Sequence, residues 1–232
     1  MLVALASTLV LWAWERPEDL RFAPADAEIA VQTGFVELRG DQLVQRGRRF
    51  PLLPGRAPVT TAVVHVQIAP GRPLRWSPAL RDRAAQAVLH YGRLAGTRRL
   101  QLDFEVRASQ RAVLLDLLHA VRAGLPNGVS LSMTALASWC GDERWLSQAP
   151  VDEVAPMLFR MGRGGAAIRS RREAGGDFAD AGCRSALAVS TDAPVRRAPA
   201  GRRVYLFSPR SWTASDFTRL KGEVERWDAP DG

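Results

Sequence analysis

Eight short runs of apolar and β-branched residues, most of the later ones separated by helical patterns, constrain the fold of this chain more than any other feature. They predict strands at Thr8–Trp14, Glu28–Thr33, Thr61–Ile68, Arg99–Glu105, Ser130–Ala137, Glu153–Phe159, Ser185–Thr191 and Arg203–Phe207. Strands that alternate with helices favour a parallel sheet. Eight of them over 232 residues predict a small, irregular (β/α)8 barrel of the TIM type that forms one domain, residues 1–232. An open doubly wound sheet is the alternative, although no glycine-rich phosphate fingerprint follows any strand.

Helix signals stand between several of these runs. The pair Ser77-Pro78 combines a cap with a first-turn proline, which predicts a helix to about Leu94. The other predicted helices are Gln110–Ala123 with Ser109 as its cap, a short turn over Asp142–Ser147, a weak helix over Gly164–Glu173, and a last helix capped by Thr213 or Ser215 that ends near Trp227. After the second strand, Phe35–Leu38 and Leu43–Arg46 flank Gly40-Asp41 and predict a β-hairpin that projects from the barrel.

Composition and charge narrow the function classes. The net charge is +8, but the arginines are scattered along the chain and the single lysine is Lys221. A nucleic-acid-binding protein gathers such charge on one face, so we predict no nucleic-acid partner. The histidines His65, His90 and His119 show no metal spacing, and the two cysteines show no zinc spacing. We therefore predict no metal and no cofactor.

The two cysteines, Cys140 and Cys183, lie beyond opposite ends of their predicted strands. Cys140 follows the end of the fifth predicted strand, whereas Cys183 precedes the start of the seventh. The barrel would then hold them at opposite ends, too far apart for a disulfide. We therefore predict no disulfide.

The N-terminal segment Leu2–Trp14 is apolar, and Ala4-Leu5-Ala6 resembles a signal cleavage site. It has no basic n-region and is too short to span a membrane. We interpret it as the first strand and predict no stable membrane span. A longer secretory leader that is cut by the start of this sequence is the alternative.

The segment Leu100–Glu105 carries the strongest indication of chemistry. Side chains alternate across a strand, so Gln101, Asp103 and Glu105 share one face, while Leu100, Leu102 and Phe104 share the other. Outer helices would cover the apolar face, which turns both carboxylates towards the barrel interior. Interior carboxylates are costly unless they are paired or used. We predict Asp103 and Glu105 as catalytic residues; a structural ion pair with arginine is the alternative.

Active groups of such barrels gather at the carboxyl ends of the strands. The candidate substrate-binding residues there are Trp12, Trp14, Glu15, Arg16, His65, Gln67, Gln101, Trp139, Met157, Phe159, Arg160, Asp192, Tyr205 and Trp212. Trp145 follows closely behind Trp139, so that five of the seven tryptophans approach one rim. Sugar rings stack on aromatic planes, and carboxylates beside tryptophans are typical of a carbohydrate cleft.

The run Gln101–Glu105 resembles the strand-four signature Asp-x-Asp-x-Glu of the family 18 chitinase-like glycosidases. The run Met157-Leu158-Phe159 is similar to their strand-six Met-x-Tyr. The resemblance implies that Glu105 is the general acid and that Asp103 orients the acetamido group of the substrate. In this sequence Gln101 replaces the first acid of the signature, and Phe159 replaces the tyrosine.

A longer resemblance is to a bacterial family known as domain of unknown function 3142. It is carried by the segments Leu11–Leu20, Leu100–Glu105, Thr134–Cys140 and Val151–Gly162. It implies a barrel-like, exported bacterial protein of the periplasm or cell envelope, without an assigned activity.

Three hypotheses follow from the sequence. The leading one is a glycoside-hydrolase-like barrel that acts on or binds a bacterial polysaccharide, with Glu105 as the general acid. The second is a non-catalytic carbohydrate-binding barrel, which the replacements at Gln101 and Phe159 favour. The third is an interaction protein of an envelope assembly. The sequence does not indicate an oligomeric state.

Overall fold

The computed structural model describes residues 6–141, 145–161 and 164–228. Its strands are β1 (Thr8–Ala13), β2 (Glu18–Asp19), β3 (Glu28–Arg39), β4 (Gln42–Gly47), β5 (Leu52–Leu53), β6 (Val59–Ile68), β7 (Arg99–Asp103), β8 (Ser130–Leu136), β9 (Glu153–Met157), β10 (Ala186–Ser190) and β11 (Arg203–Phe207). Its α-helices are α1 (Pro78–Arg93), α2 (Arg111–Gly124), α3 (Gly165–Glu173) and α4 (Ala214–Asp228). Short 3-10 turns cover Ala108–Gln110, Ala137–Cys140, Trp145–Gln148 and Ala181–Arg184. The predicted cleavage site at Ala4–Ala6 begins outside the described residues.

Eight parallel strands close into a barrel in the order β1-β3-β6-β7-β8-β9-β10-β11. The closure is made by β1, which pairs with β11 on one side and with β3 on the other. The prediction of a closed α/β barrel of the TIM type is therefore confirmed at this level, and the open doubly wound sheet is excluded.

The strict alternation of strand and helix is not present. The connections from β1 to β3, from β3 to β6 and from β10 to β11 are fully described and contain no α-helix. The small β2–β5 ladder lies within the first two of these connections. The sequence of each connection lacks a helix cap followed by apolar residues at helical spacing. Part of the barrel wall is therefore not covered by a helix.

The predicted hairpin differs from the observed arrangement. Its two arms do pair antiparallel, from Gly34 opposite Gly47 to Arg39 opposite Gln42. The first arm is nevertheless the continuation of the barrel strand β3, which pairs with β6 as far as Leu38 and Ile68. Val36 and Leu38 are fully buried, so this segment extends the barrel wall and is not a separate insertion.

The capping signals explain the helix boundaries in two cases out of three. The Ser77 side chain accepts from the Leu80 amide at 3.3 Å, and Thr213 accepts from the Asp216 amide at 3.1 Å. The cap predicted at Ser109 is wrong, because Ser109 lies inside a 3-10 turn that precedes α2. There the Gln110 side chain accepts from the Arg107 amide at 3.0 Å instead.

The prediction of two unpaired cysteines is also wrong, because Cys140 and Cys183 form a disulfide with a Cα–Cα distance of 5.9 Å. Cys140 is the last residue of one 3-10 turn, and Cys183 lies within another. Both turns contact the outside of β9. The Asp180 amide donates to the Cys140 carbonyl at 3.2 Å and holds the two turns side by side. The prediction considered only the strand ends and missed that both connections fold back over the barrel wall.

Two apolar layers separate the inside of the barrel from its cover. The interior contains Val10, Trp12, Ala30, Val63, Ala155, Met157, Ala186, Ala188, Tyr205 and Phe207. The larger outer layer packs the other strand faces against the helices and turns, as Leu102 and Phe104 illustrate. Towards the amino-terminal end, the interior carries charge around Glu153, which accepts from Ser132 at 2.8 Å and from Tyr205 at 2.6 Å. Its other oxygen lies 3.4 Å from Arg203.

Candidate functional site

Strand β7 sends its polar side chains inward, as alternation along a strand requires. Asp103 is 3% exposed and Gln101 is fully buried, both among interior groups, whereas Leu100, Leu102 and Phe104 belong to the outer layer. The strand ends at Asp103, so Glu105 lies just beyond it. We call the opening at the carboxyl ends of the barrel strands the mouth, and the Glu105 side chain is 39% exposed there. The two acids therefore differ in depth: Asp103 lies inside the barrel and Glu105 lies on its rim.

Asp103 is held by two neighbouring strands. Its Oδ2 lies 2.7 Å from Nδ1 of His65 on β6, and its Oδ1 accepts from the Thr134 hydroxyl of β8 at 2.6 Å. Burial of His65 disfavours its charged form, but the hydrogen bond and negative charge of Asp103, with Glu105 and Gln67, outweigh this and raise the pKa of His65. The result is an acid–histidine pair at the end of the barrel interior.

Glu105 is the second acid of the mouth. Its Oε2 lies 3.6 Å from the guanidinium of Arg160, which follows β9. Burial raises the pKa of Glu105, and the negative charge of the nearby Asp103 raises it further. The positive charge of Arg160 lowers it, but the pKa still lies above its ordinary value. A carboxylic acid of this kind holds a proton at higher pH than a free glutamate and can donate it to a ligand atom.

Aromatic rings form the floor of the mouth. Trp12 is fully buried and stacks on Phe207 at 4.4 Å between ring centroids, while Phe159 contacts the same Phe207 at 4.9 Å. Trp14 lies above them, 5.4 Å from Trp12 and 6.1 Å from His65. Trp14 and Phe159 are only half-buried, so that they offer ring surface beside the two acids.

The edge next to His65 is built from the extended strand β3. Phe35 stacks on His65 with 5.5 Å between ring centroids, and the Arg46 guanidinium lies over the Phe35 ring, 4.7 Å from its centroid. Arg46 also pairs with Glu15, which has a second partner in Arg49 at 3.5 Å. Both carboxylate oxygens of Glu15 therefore face arginine side chains.

Arg16 and Gln67 have structural contacts. The Arg16 guanidinium donates to the carbonyls of Ser208 at 2.6 Å and Pro209 at 2.7 Å and pairs with Glu18 at 2.9 Å. Gln67 donates to Glu37 at 2.5 Å. Arg16 thus links the loop after β1 to the loop after β11. All three of its guanidinium nitrogens make these contacts.

Several predicted site residues lie away from the mouth. Trp139 and Trp145 pack edge-to-face at 5.1 Å in the outer layer, and Trp212 is buried there too, with its indole N–H donating to the Trp12 carbonyl at 2.9 Å. These three were predicted from their position after strand ends, but the following turns fold outward. Gln101 and Tyr205 lie deep in the interior, where Gln101 donates to Ser132 at 2.8 Å and Tyr205 to Glu153.

The remaining two predicted residues also contribute no free polar group to the mouth. Met157 is 2% exposed and is part of the interior apolar layer. Asp192 is exposed in the turn after β10 and is hydrogen-bonded to Ser190. The structure therefore brings together His65, Asp103, Glu105 and Arg160 with Trp12, Trp14 and Phe159.

Three residues of the mouth were missed from sequence. Thr134 was detectable, because Ser132 and Thr134 alternate with apolar residues on β8 and therefore face inward next to β7. Phe35 was assigned to a projecting hairpin. Arg48 donates to the carbonyls of Trp14 at 2.6 Å and Arg16 at 2.7 Å, and it holds the end of β1 in place. No local pattern marks such an arginine among so many others.

No family model, curated protein or solved structure matches this chain. The two resemblances thus stay predictions, and the geometry of the mouth is the basis for its function. Of the helices in the described ranges, none combines the length and the apolar character needed to cross a membrane. The same ranges contain no cluster of three or more histidine, cysteine or acidic side chains suited to a metal ion.

Proposed function

We propose that this barrel is a glycoside-hydrolase-like protein that acts on a bacterial polysaccharide at its carboxyl-terminal mouth. The observation that carries the proposal is Glu105, a half-exposed carboxyl with a raised pKa at the rim of the barrel. It follows the buried Asp103 on the same face of the chain. A proton donor next to a fixed carboxylate is the arrangement that glycosidic bond cleavage uses.

In the proposed mechanism, Glu105 donates its proton to the glycosidic oxygen as the bond to the anomeric carbon breaks. Positive charge then develops on the sugar ring. The Asp103 carboxyl, held in place by its contacts with His65 and Thr134, stabilises that charge or orients a substituent that attacks the anomeric carbon. A substituent of the sugar acting as nucleophile would make a second carboxylate nucleophile unnecessary.

The aromatic residues of the mouth supply the proposed binding surface. Trp14 and Phe159 are half-buried and both contact the Phe207 ring, and the C–H face of a sugar ring packs on such planes. Arg160, whose side chain is 62% exposed beside Glu105, can donate to a hydroxyl or carboxylate of the polymer. This part of the proposal replaces the wider tryptophan rim predicted from sequence.

A second candidate is a carbohydrate-binding barrel without catalysis. The contacts of Gln101 favour it: the position that carries the first acid of the chitinase-like signature donates to Ser132 and takes no part in the Asp103 pair. In addition, Phe159 brings no hydroxyl to the mouth. Such a protein would keep the binding surface and lack turnover.

We also propose that the protein is exported to the periplasm or cell envelope. The disulfide between Cys140 and Cys183 supports this, because disulfides persist mainly in oxidising compartments. The resemblance to the domain of unknown function 3142 family points in the same direction.

The experiment is a comparison of the wild type with Glu105→Gln on chitin oligosaccharides, peptidoglycan fragments and bacterial exopolysaccharides. New reducing ends are assayed, and binding is titrated in parallel. We expect turnover to fall by roughly 10²–10⁴ in the variant, because the amide keeps the size but cannot donate the proton, while ligand binding persists. The exposed Glu225→Gln, which also removes one acid, is the control and should keep full activity.

The other outcomes separate the candidates. If the wild type binds a carbohydrate without turnover, and Glu105→Gln binds it equally well, the second candidate is supported. Full turnover by Glu105→Gln would refute the role of Glu105. An absence of both binding and turnover across the panel would contradict the carbohydrate proposal as a whole.

A further inference from the structure

The connection from β10 to β11 leaves a gap in the helical cover of the barrel. Residues 191–202 form no helix, and they lie between α3 and the carboxyl-terminal end of α4, where the Trp227 indole donates to the Val195 carbonyl at 3.2 Å. Two adjoining cavities of about 390 and 420 Å³ lie in this gap. Both are lined by Arg172 of α3 and by Arg196 and Arg197 of the connection. Arg226 adds a fourth guanidinium to one cavity, and Arg169 adds one to the other.

Arg172 is the distinctive group of these cavities. Its side chain is 5% exposed, and Nη1 donates to Asp177 at 2.9 Å, while the guanidinium lies 4.4 Å above the Phe178 ring. Its Nε and Nη2 are buried and have no hydrogen-bond partner among the residues that the structure describes. Leaving buried donors of a charged group unpaired is costly, so an arrangement that does so calls for a partner from outside the chain.

The geometry of the unpaired edge defines the partner. The N–H groups of Nε and Nη2 lie parallel on one edge of a guanidinium, and this fork matches two oxygens of a carboxylate or phosphate. Asp177 contacts Nη1, at the other end of the Arg172 guanidinium, and also pairs with the buried Arg202. The edge formed by Nε and Nη2 is therefore directed away from Asp177. Among the described side chains that line the two cavities, none is acidic.

We propose that this arginine-lined groove is a binding site for an oxyanion, a phosphate or carboxylate group of a ligand, held in bidentate fashion by Nε and Nη2 of Arg172. Arg196, which lines both cavities, contributes a second positive charge. The site lies outside the barrel and does not share a residue with the mouth, so it does not depend on the proposed glycosidase function. Phosphate and carboxylate share the chemistry of recognition, and the experiment distinguishes them.

The test is calorimetric titration of the folded protein with inorganic phosphate, and separately with glucuronate, in a buffer of low ionic strength. We expect saturable binding of one of them with a Kd of about 1 mM or tighter. Arg172→Lys keeps the charge that faces Asp177 but lacks the planar fork, and should weaken binding by about tenfold or more. Arg196→Gln should also weaken it, whereas Glu105→Gln should leave it unchanged.

Arg56→Gln is the matched control for Arg196→Gln, because it removes the same charge from an exposed arginine in the turn between β5 and β6. It should leave the Kd unchanged. If Arg56→Gln weakens binding as much as Arg196→Gln does, binding reflects net charge and the site is refuted. The lack of saturation with both anions would refute it as well. If Arg172→Lys fails to fold, the comparison of Arg196→Gln with Arg56→Gln still decides.

Discussion

At the scale of single residues, the position of Asp103 accounts for the chemistry of the mouth. It is 3% exposed, yet it has a histidine and a threonine as partners from the two neighbouring strands. The alternation along Leu100–Glu105 was sufficient to predict which side chains point inward. The identity of the partners was not predictable in the same way, because it depends on the register of β6 and β8 against β7.

The His65–Asp103 pair predicts a measurable effect on the pKa of the histidine. In the wild type the pKa of His65 is raised above 6.5, with burial opposing and the Asp103 carboxylate prevailing. In Asp103→Asn the burial remains and the charge is lost, so the pKa should fall below that of the wild type. Proton NMR titration measures both values, and the exposed His90 and His119 serve as internal references. An equal pKa of His65 in the two proteins would contradict the pairing.

The sign of the linked stability follows from the raised pKa. A group whose pKa is higher in the folded state contributes stability that is present below about pH 6.5, the unfolded value. This contribution is lost as the pH rises through the folded pKa of His65. The difference in the free energy of unfolding between wild type and Asp103→Asn should thus shrink from mildly acidic towards alkaline pH.

At the scale of elements, close packing between α1 and the sheet sets the shape of the extended strand β3. Gly34 lies at an irregularity of the β3–β6 register, and a Cβ built there would come within 2.3 Å of the Tyr91 ring. The sequence did predict α1, because Ser77 and Pro78 mark its start. It did not show that Phe35–Leu38 continues the barrel strand, since Gly34 before this apolar run is equally consistent with the end of a strand.

Two glycine substitutions should shift stability in opposite directions. Gly34→Ala should destabilise the protein by about 1–3 kcal/mol, because the methyl group overlaps the Tyr91 ring. Gly222→Ala in the middle of α4 meets only the Arg226 guanidinium at 3.8 Å, and should stabilise it by about 0.5–1 kcal/mol through helix propensity. Urea denaturation measures both. A neutral Gly34→Ala would show that β3 and α1 are not packed as described.

At the scale of the whole molecule, the strand runs were enough to predict a closed barrel, because eight buried parallel strands can bury both faces in this way. The helical cover was predicted less well, since three fully described connections, and the described part of the β8–β9 connection, have turns or ladders in place of α-helices. The outward turns explain both the unpredicted disulfide and the three tryptophans that were wrongly assigned to the rim. These errors have one cause: the path of a connection over the barrel depends on tertiary packing and not on its own sequence.

The disulfide should contribute substantially to global stability. It joins residues that are 43 positions apart, and closing a loop of that length in the unfolded chain is worth roughly 2–4 kcal/mol. The double variant Cys140→Ser/Cys183→Ser should lose that amount in a denaturation experiment relative to the oxidised wild type. Addition of a reductant should lower the stability of the wild type but not that of the variant. Two reactive thiols in the denatured, unreduced wild type would contradict the pairing.

The proposed function depends on the carboxyl of Glu105, which lies at the mouth as the proton donor. Its titration, followed by carboxyl-carbon NMR in the wild type and in Arg160→Gln, tests this directly and needs no substrate. We predict a pKa above 4.5 in the wild type, raised by burial and by Asp103, and a higher value in Arg160→Gln, because the opposing charge is then removed. A pKa at or below 4.5 that Arg160→Gln leaves unchanged would contradict the role of Glu105 as the proton donor.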